Sequence, residues 1–259
     1  MATFLFDKII FGPVKSRRLG ISLGINLLPL DVKYCNFDCV YCECGWSDKS
    51  KYKGISFYKK GEIIKALDEK LSNYKKNGES IDVITFAGNG EPTLHPQFSE
   101  IIDETIAIKN KYFADIKISV LSNATMLHKE KVFEALKKVD MNILKLDSGI
   151  EKTINIINRP QFEYSIENII QKLSSFNGNV YIQTMFLKSL NKDFPIDNTS
   201  KEEIDAWLEA LKKIKPKNLM IYSLDRETPA SGLVKISLDE LNRIADKARE
   251  LNINVIVSG

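Results

Sequence analysis

The sequence has no cysteine outside positions 35–44, and four cysteines lie inside that short stretch. A disulfide framework distributes its cysteines so that they close long loops of chain. Cysteines confined to one short stretch argue against such a framework. They indicate a metal site, because thiolates from one segment can meet around a metal ion or an iron–sulfur cluster.

The sequence also lacks the features of a membrane, secreted or multidomain protein. No apolar run approaches the length of a bilayer span, and there is no repeat, low-complexity tract or Pro/Gly/Ser-rich linker. Met1–Ile10 contains Asp7 and precedes no small-residue cleavage site, so we interpret it as mature sequence and not as a signal peptide. With 44% hydrophobic and 27% charged residues, we expect one domain over residues 1–259, with residues 1–20 as a lead-in segment, in the cytoplasm and without membrane contact.

The chain has little excess charge of either sign. Its formal net charge is +3 at pH 7, which permits an anionic partner without requiring one. Lys15, Arg17, Arg18 and Lys33 precede the cysteines, but such a group is more often a solvated surface than a nucleic-acid site. Charge alone therefore assigns no partner.

From Ile21 onward, strand-like and helix-like segments alternate along the chain. The predicted strands, from short buried apolar runs, are Ile21–Leu28, Ile81–Ala87, Ile116–Leu121, Asn142–Leu146, Asn179–Leu187, Asn218–Tyr222 and Asn254–Val257. The predicted helices, from apolar residues at helical spacing, are Gly61–Lys76, Phe98–Lys109, Lys129–Lys138, Ser165–Ser174, Ser200–Ile214 and Leu238–Leu251. The alternation predicts an α/β fold of parallel βαβ units, whose number suits a partial (open) TIM-like (β/α)6 barrel.

The cysteines follow the first predicted strand, at the edge of the sheet where the active site of such a fold lies. Cys35, Cys39 and Cys42 have the spacing Cys-x3-Cys-x2-Cys, and Cys44 follows. Three thiolates on a four-iron cluster leave the fourth iron open for a ligand, as in catalytic metal sites. Four neighbouring cysteines are also compatible with a structural Zn²⁺, although structural zinc sites usually draw two pairs from separate turns.

This spacing, with Tyr41 directly before the third cysteine, resembles that of the radical SAM superfamily. The resemblance implies that Cys35, Cys39 and Cys42 hold a [4Fe–4S] cluster. It implies that the fourth iron binds the amino and carboxylate groups of S-adenosylmethionine (SAM), and that Tyr41 packs near the adenine. Under this interpretation Cys44 is a neighbouring thiol and not a ligand.

A glycine-rich turn follows the second predicted strand. Gly88, Asn89, Gly90 and Glu91 resemble the Gly-Gly-Glu motif of the same superfamily, with an asparagine between the two glycines. The resemblance implies that this turn contacts the methionyl amino group of SAM and that Glu91 is the acidic residue beside it. Without the resemblance, a tight strand-to-helix turn explains the glycines equally well.

Further candidates lie on later strands. Ser122 and Asn123 end the third strand, where members of the superfamily commonly contact the SAM ribose and carboxylate, but they also suit a helix cap. Asp147, at the end of the fourth strand, is a candidate for the ribose or the substrate. Arg159 is a candidate for the SAM carboxylate, since guanidinium groups match carboxylates. Gln183 is one of two adjacent polar residues in the fifth strand, and only one of the two can face the barrel interior.

Longer segments resemble a subgroup of small radical SAM proteins related to the wyosine-forming enzymes, which modify a tRNA guanosine. These segments are Gly12–Gly20, Leu23–Asn26, Cys35–Gly45, Gly88–Pro96, Ser122–Leu127 and Ile221–Pro229. The wyosine enzymes carry a second cluster with its own cysteines. Only Cys44 remains here after the first cluster, which argues against a second cysteine-ligated cluster and against wyosine synthesis itself.

Together these features predict an enzyme that cleaves SAM reductively to methionine and a 5′-deoxyadenosyl radical, which then takes hydrogen from a substrate. A flavodoxin or a ferredoxin is the expected one-electron donor. Because little sequence lies beyond the predicted core, we expect a bulky substrate, RNA or protein, to close the open side of the barrel. The alternative enzyme is an activase for a glycyl-radical enzyme, and the alternative without catalysis is a zinc-stabilised binding module.

Overall fold

The computed structural model describes residues 4–16, 18–192 and 195–259. Its internal contacts divide the chain into two compact units. The first unit comprises Leu5–Cys35 and Ser47–Asn142; the second comprises Asn36–Trp46 and Ile143–Gly259, together with Phe4. Arg17, one of the basic residues before the cysteines, lies outside the described residues.

The first unit is an α/β unit with parallel strands and one antiparallel strand beside them. Its strands are β1 (Ile10–Ser16), β2 (Gly20–Ile25), β3 (Val83–Phe86) and β4 (Lys117–Ser122). Its helices are α1 (Lys60–Asn77), α2 (Phe98–Tyr112) and α3 (Glu130–Lys138), and short 3-10 helices span Lys49–Tyr52, Pro92–Leu94 and Thr125–His128. Strand β2 pairs with β3 and β3 with β4 in parallel, whereas β1 pairs with β2 antiparallel.

The second unit has the same alternation. Its strands are β5 (Met141–Lys145), β6 (Tyr181–Met185), β7 (Leu187–Ser189), β8 (Asn218–Tyr222), β9 (Leu233–Lys235) and β10 (Asn254–Ser258). Its helices are α4 (Glu151–Ile157), α5 (Ile166–Ser174), α6 (Lys201–Ile214) and α7 (Leu238–Arg249). Strands β5, β6, β8 and β10 pair in parallel in that order, and β7 and β9 form a separate antiparallel pair.

Helix α1 shows why the apolar spacing predicts these elements well. Its buried residues Ile63, Leu67, Leu71 and Tyr74 recur every three or four positions, so they form one stripe on the helix. The helix ends where Gly78 adopts a left-handed conformation (φ 69°), from which its N–H reaches the carbonyls of the last turn. The apolar spacing and the Gly78 cap therefore both predict helix α1.

Buried hydroxyls join the parallel strands of the first unit on one face. Thr85 on β3 lies 2.7 Å from the Ser22 hydroxyl on β2 and accepts from the Ser119 hydroxyl on β4 at 3.0 Å. The three side chains satisfy one another inside the unit, as buried polar groups require. This ladder keeps the strands in register without any charged residue.

Strand β1 lies within the predicted lead-in segment, where the sequence predicts no strand. Most residues of Ile10–Ser16 are exposed or half-buried, Gly12 and Pro13 interrupt the alternation, and the register shifts between Phe11 and Val14. A solvent-facing, irregular strand carries little periodic signal, which is why the sequence does not reveal it. The short pair β7 and β9 is missed because three residues are too few to show a period.

Candidate functional site

In the first unit, the glycine turn after β3 passes against the segment that leads into Cys35. The Tyr34 N–H donates to the Asn89 carbonyl at 2.7 Å, and the Glu91 N–H donates to the Tyr34 carbonyl at 3.1 Å. Gly90 has a φ of 141°, and a Cβ there would lie 1.8 Å from the Tyr34 carbonyl oxygen. Only glycine allows this approach, so the turn fixes the backbone directly before the first cysteine.

Gly88 and Asn89 belong to the same packing. A Cβ on Gly88 would lie 2.6 Å from the Asn26 Oδ1. The fully buried Asn89 amide donates to the carbonyls of Phe6 (3.0 Å) and Pro29 (2.9 Å), and its Oδ1 accepts from the Phe6 N–H at 2.8 Å. Asn89 therefore ties the N-terminal segment to the loop after β2. Its contact with SAM stays a prediction, and its side chain is already engaged inside the protein.

Glu91 is buried, with 2% of its surface exposed, and its hydrogen-bond donors are neutral. Its Oε1 accepts from the Thr93 N–H (3.0 Å), the Thr93 hydroxyl and the Ser122 hydroxyl (2.8 Å), and its Oε2 accepts from the Asn123 N–H at 2.6 Å. Burial raises the pKa of Glu91, and the hydrogen bonds offset only part of that shift. Within the described ranges, no positive charge contributes to this pKa.

Ser122 and Asn123 lie beside Glu91 at the carboxyl end of β4. The Asn123 Oδ1 accepts from the Thr125 N–H at 3.1 Å, which is the local capping role that the sequence allows. The Asn123 Nδ2 also donates to the Cys35 Sγ at 3.7 Å. The end of β4 thus holds a buried carboxylate on one side and contacts a predicted cluster ligand on the other.

In the second unit, the end of α4 holds the cysteine loop Asn36–Trp46. The N–H groups on either side of Cys39 donate to the carbonyls of Ile157 and Asn158, each at 2.9 Å. The Asn158 Nδ2 donates to the Cys39 Sγ at 3.4 Å. Backbone and side chain therefore fix this cysteine together, and only 8% of its surface is exposed.

Tyr41, Lys145 and Asp147 form a buried charged cluster beside that loop. The Tyr41 hydroxyl donates to the Asp147 Oδ2 and accepts from the Lys145 Nζ at 2.5 Å, while the same ammonium lies 3.4 Å from the Asp147 Oδ2. The Asp147 Oδ2 also accepts from the Asn158 Nδ2 at 2.7 Å, and its Oδ1 accepts from the Met185 N–H at 2.9 Å. Protein donors occupy both carboxylate oxygens, so contact of Asp147 with the ribose or substrate stays a prediction.

Burial and charge set the protonation of this cluster. Burial, reinforced by the Asp147 carboxylate, raises the pKa of Tyr41 well above its ordinary value. Burial opposes the charge of Lys145, but the surrounding negative groups, with Asp147 first, raise the pKa of Lys145 overall. Lys145 is therefore a cation that compensates the buried Asp147 carboxylate.

The remaining predicted site residues lie in the second unit. Arg159 is exposed, and its guanidinium lies 5.0 Å from the ring centre of Trp46 in the cysteine loop. Gln183 on β6 is 6% exposed, and its neighbour Thr184 accepts from the Trp207 Nε1 on α6 at 3.1 Å. Because side chains alternate along a strand, Gln183 lies on the sheet face away from α6. Contacts of Arg159 and Gln183 with SAM stay predictions.

Sequence reasoning missed two residues that the structure brings to this site. Lys145 follows buried Leu144 and precedes buried Leu146, and a lysine between such residues in a strand is the signal that marks it. Asn158 directly precedes the predicted Arg159, and no spacing rule distinguishes these two polar neighbours. Only the fold shows that the asparagine donates to a cysteine sulfur.

The donors around the cysteines fit an iron–sulfur cluster. Cys35 and Cys39 each accept a hydrogen bond from a side-chain amide, and N–H···S bonds of this kind stabilise negatively charged sulfur ligands. In residues 4–16, 18–192 and 195–259, no group of three or more His, Cys, Asp or Glu side chains is arranged around a single metal ion. In those same ranges, no helix combines the length and the apolar composition that crossing a membrane requires.

Comparison with known families agrees with the cysteine motif. Residues 31–195 match the family model of the Radical SAM superfamily, which is more than half of the chain. The chain belongs to the radical SAM superfamily. This confirms the superfamily predicted from Cys35, Cys39 and Cys42 and places the protein in the radical SAM class of enzymes. The relation to wyosine-forming enzymes stays a prediction.

Curated relatives of this radical SAM protein differ in length. A protein of Brachyspira hyodysenteriae named GTPase Obg is 32% identical over 255 residues, which are 97% of this chain and 35% of the relative. A UPF0026 protein of Methanocaldococcus jannaschii is 34% identical over 212 residues, 80% of this chain and 61% of the relative. A UPF0026 protein of Helicobacter pylori is 32% identical over 238 residues, 90% of this chain and 71% of the relative. The chain thus spans less than two thirds of the first two relatives.

Solved structures confirm the predicted fold. A radical SAM methyltransferase from Sphaerobacter thermophilus matches with a TM-score of 0.65 and 14% identity, covering 92% of this chain and 65% of the other. Streptococcus suis SuiB, bound to its precursor peptide SuiA, matches with a TM-score of 0.64 and 18% identity, covering 91% and 48%. At these identities the likeness concerns the fold alone, and that fold is the α/β partial TIM-like barrel that the alternation predicts.

Proposed function

We propose that this radical SAM protein binds one [4Fe–4S] cluster through Cys35, Cys39 and Cys42 and uses it with SAM to take hydrogen from a macromolecular substrate. The observation that carries the proposal is the pair of amide donors on two of these cysteines. Asn123 donates to Cys35 at 3.7 Å, and Asn158 donates to Cys39 at 3.4 Å. Thiolates that bind iron are stabilised by such donors, whereas neutral buried thiols have little need of them.

When bound, the reduced cluster supplies one electron to the SAM sulfonium, which yields methionine and the 5′-deoxyadenosyl radical. The residues of the chain bind and orient the reactants. Glu91 receives the SAM amino group, because its buried carboxylate accepts from neutral donors and gains a cation when the amine arrives. Ser122 and the Asn123 N–H hold that carboxylate in one orientation.

The other predicted residues have different roles in this proposal. Asn89 and Asp147 form hydrogen bonds within the protein, so in this proposal they support neighbouring residues and do not bind SAM themselves. Tyr41 stays the candidate for the adenine and Arg159 the candidate for the carboxylate of SAM, and Gln183 stays a candidate for contact with the cofactor. Gly90 allows the backbone before the first cysteine to pass close to the turn, and Gly88 leaves room for the Asn26 side chain.

The test is anaerobic reconstitution with iron and sulfide. The wild-type protein should become brown and should form 5′-deoxyadenosine from SAM and dithionite. Cys42→Ala should lose the cluster and the product, whereas the matched control Cys44→Ala should keep both, since Cys44 is not a ligand in this proposal. An intact cluster that gives no 5′-deoxyadenosine contradicts the reaction. A colourless protein whose metal binding requires Cys44 supports the zinc-stabilised module instead.

The partners follow from the same proposal. A flavodoxin or a ferredoxin is the proposed electron donor, because reduction of the cluster needs one electron from outside the chain.

RNA is the substrate class that basic residues favour, since Lys15 is exposed and Arg18 is half-buried after β1. Salt-dependent gel shifts with bulk tRNA should then appear, and their absence excludes RNA in favour of a protein substrate. Co-purification with a large glycyl-radical enzyme would instead favour the activase.

A further inference from the structure

Asn158 joins a buried carboxylate to one predicted cluster ligand. The residue is fully buried at the end of α4, and its Nδ2 lies 2.7 Å from the Asp147 Oδ2 and 3.4 Å from the Cys39 Sγ. The two hydrogens of one amide nitrogen can serve these two acceptors together. The proposed function takes this bond as support for a cluster but gives the Asn158 side chain no role in the reaction.

The orientation of the Asn158 amide is fixed by chemistry. If oxygen and nitrogen exchanged places, the amide oxygen would face the Asp147 carboxylate, and two acceptors would meet. In the observed orientation, the Asn158 Oδ1 is buried and has no hydrogen-bond partner among the described residues. Leaving a buried carbonyl unsatisfied is unfavourable. In this orientation the Asn158 Oδ1 lacks a hydrogen bond among the described residues, while the Nδ2 donates to the Asp147 carboxylate and the Cys39 sulfur.

Backbone bonds keep the amide and the thiol at this distance. The N–H groups flanking Cys39 donate to the carbonyls of Ile157 and Asn158, so two backbone hydrogen bonds join the cysteine loop to the end of the helix. The Lys145 ammonium lies 3.4 Å from the Asp147 Oδ2 and holds the carboxylate beside the amide. The cysteine loop, the end of α4 and the Asp147 carboxylate are therefore all held in place by bonds of their own.

We propose that Asn158 is a positioning residue that raises the reduction potential of the cluster through its hydrogen bond to the Cys39 thiolate. A hydrogen bond to a ligating sulfur stabilises the reduced cluster more than the oxidised one, because the reduced cluster carries more negative charge. The inference rests on the proposed function, since it needs a cluster on Cys39. It adds a residue that binds neither iron nor SAM and still controls how readily the cluster accepts an electron.

Reductive titration of the reconstituted protein tests this, with the cluster followed by electron paramagnetic resonance. Asn158→Leu removes the donor at similar volume. Asn158→Asp keeps the shape but has at most one proton, which the adjacent Asp147 carboxylate would take. Asn142→Leu is the matched control, because Asn142 is also buried and donates to a backbone carbonyl, that of Leu136, at 3.2 Å.

Both Asn158 variants should retain wild-type iron and sulfide content, since the ligands are unchanged. Their midpoint potentials should be more negative, with the equilibrium constant for reduction lowered about tenfold, or about 59 mV for one electron. Asn142→Leu should keep the wild-type potential. Unchanged potentials in the Asn158 variants overturn the inference, and so does loss of the cluster in both of them while Asn142→Leu retains it. If the wild type itself takes up no cluster, the proposed function fails and the inference falls with it.

Discussion

Asp147→Ala should lower the free energy of unfolding by about 3–5 kcal/mol, the cost of removing one partner from a buried ion pair. The Asp147 side chain has no exposed surface, and the Lys145 side chain is only 12% exposed. Without the carboxylate, the ammonium stays buried without its main counter-charge. The Tyr41 hydroxyl, the Asn158 amide and the Met185 N–H lose their acceptor at the same time.

Urea unfolding under anaerobic, reducing conditions measures this change. The matched control is Asp205→Ala, which removes an exposed carboxylate that pairs with Lys201 on the same helix. Because exposed pairs contribute little, the control should change the free energy of unfolding by less than about 1 kcal/mol. A loss below about 1 kcal/mol for Asp147→Ala would show that the buried cluster does not hold this unit together.

The pH dependence provides a second check on the same pair. The folded protein raises the pKa of Lys145 above its ordinary value of 10.5 and that of Tyr41 above 10.0. The stabilisation from both groups is therefore complete below about pH 10 and is lost as the pH rises further. In Asp147→Ala, Lys145 loses the largest of the charges that raise its pKa, so the variant has less of this stabilisation to lose at high pH. The stability difference between the two proteins should shrink above about pH 10.

The sequence predicts the scaffold and the metal-binding motif better than the interactions between them. Helices such as α1 and strands such as β3 are found because burial of one stripe or of a whole strand leaves a periodic trace in the sequence. The three cysteines are found because their ligands are adjacent in the chain. Strand β1 leaves no such trace, since its residues are mostly exposed.

Site residues that act through distant partners escape sequence reasoning for a different physical reason. Asn158 and Cys39 are separated by 119 positions, and Tyr41 and Asp147 by 106. Neither spacing nor composition encodes which polar side chains meet after folding. The sequence therefore proposes Asp147 as a cofactor contact but does not reveal that Tyr41, Asn158 and the Met185 N–H donate to its carboxylate.

Two buried carboxylates, Glu91 in the first unit and Asp147 in the second, differ in what balances their charge. Asp147 has Lys145 within 3.4 Å, so its charge is compensated inside the protein. Among the described residues, Glu91 accepts only from hydroxyl and backbone N–H groups, and burial raises its pKa. A buried carboxylate without a counter-ion gains more from an incoming ammonium than one that already has a partner. Under the proposed function, this difference favours ligand binding at Glu91 and structural support by Asp147.

Glu91→Gln should therefore weaken SAM binding by at least about 30-fold, since losing one partner of a buried, hydrogen-bonded charge pair costs about 2–5 kcal/mol. The measurement is the dissociation constant of SAM on the reconstituted protein by anaerobic calorimetry. Glu203→Gln is the matched control, because Glu203 is also a buried carboxylate and accepts from the Ser148 and Thr153 hydroxyls. It should leave the dissociation constant within about threefold of wild type, a difference of less than about 0.7 kcal/mol.

Acidification should reproduce the effect of Glu91→Gln in the wild-type protein. The amine binds the ionised carboxylate, so protonation of Glu91 removes the attraction. Because burial raises the pKa of Glu91 above its ordinary value of 4.5, SAM affinity should begin to fall at a higher pH than an exposed glutamate would cause. The Glu91→Gln variant should lack this fall. Equal affinity of both proteins across the acidic range would mean that the SAM amine binds elsewhere.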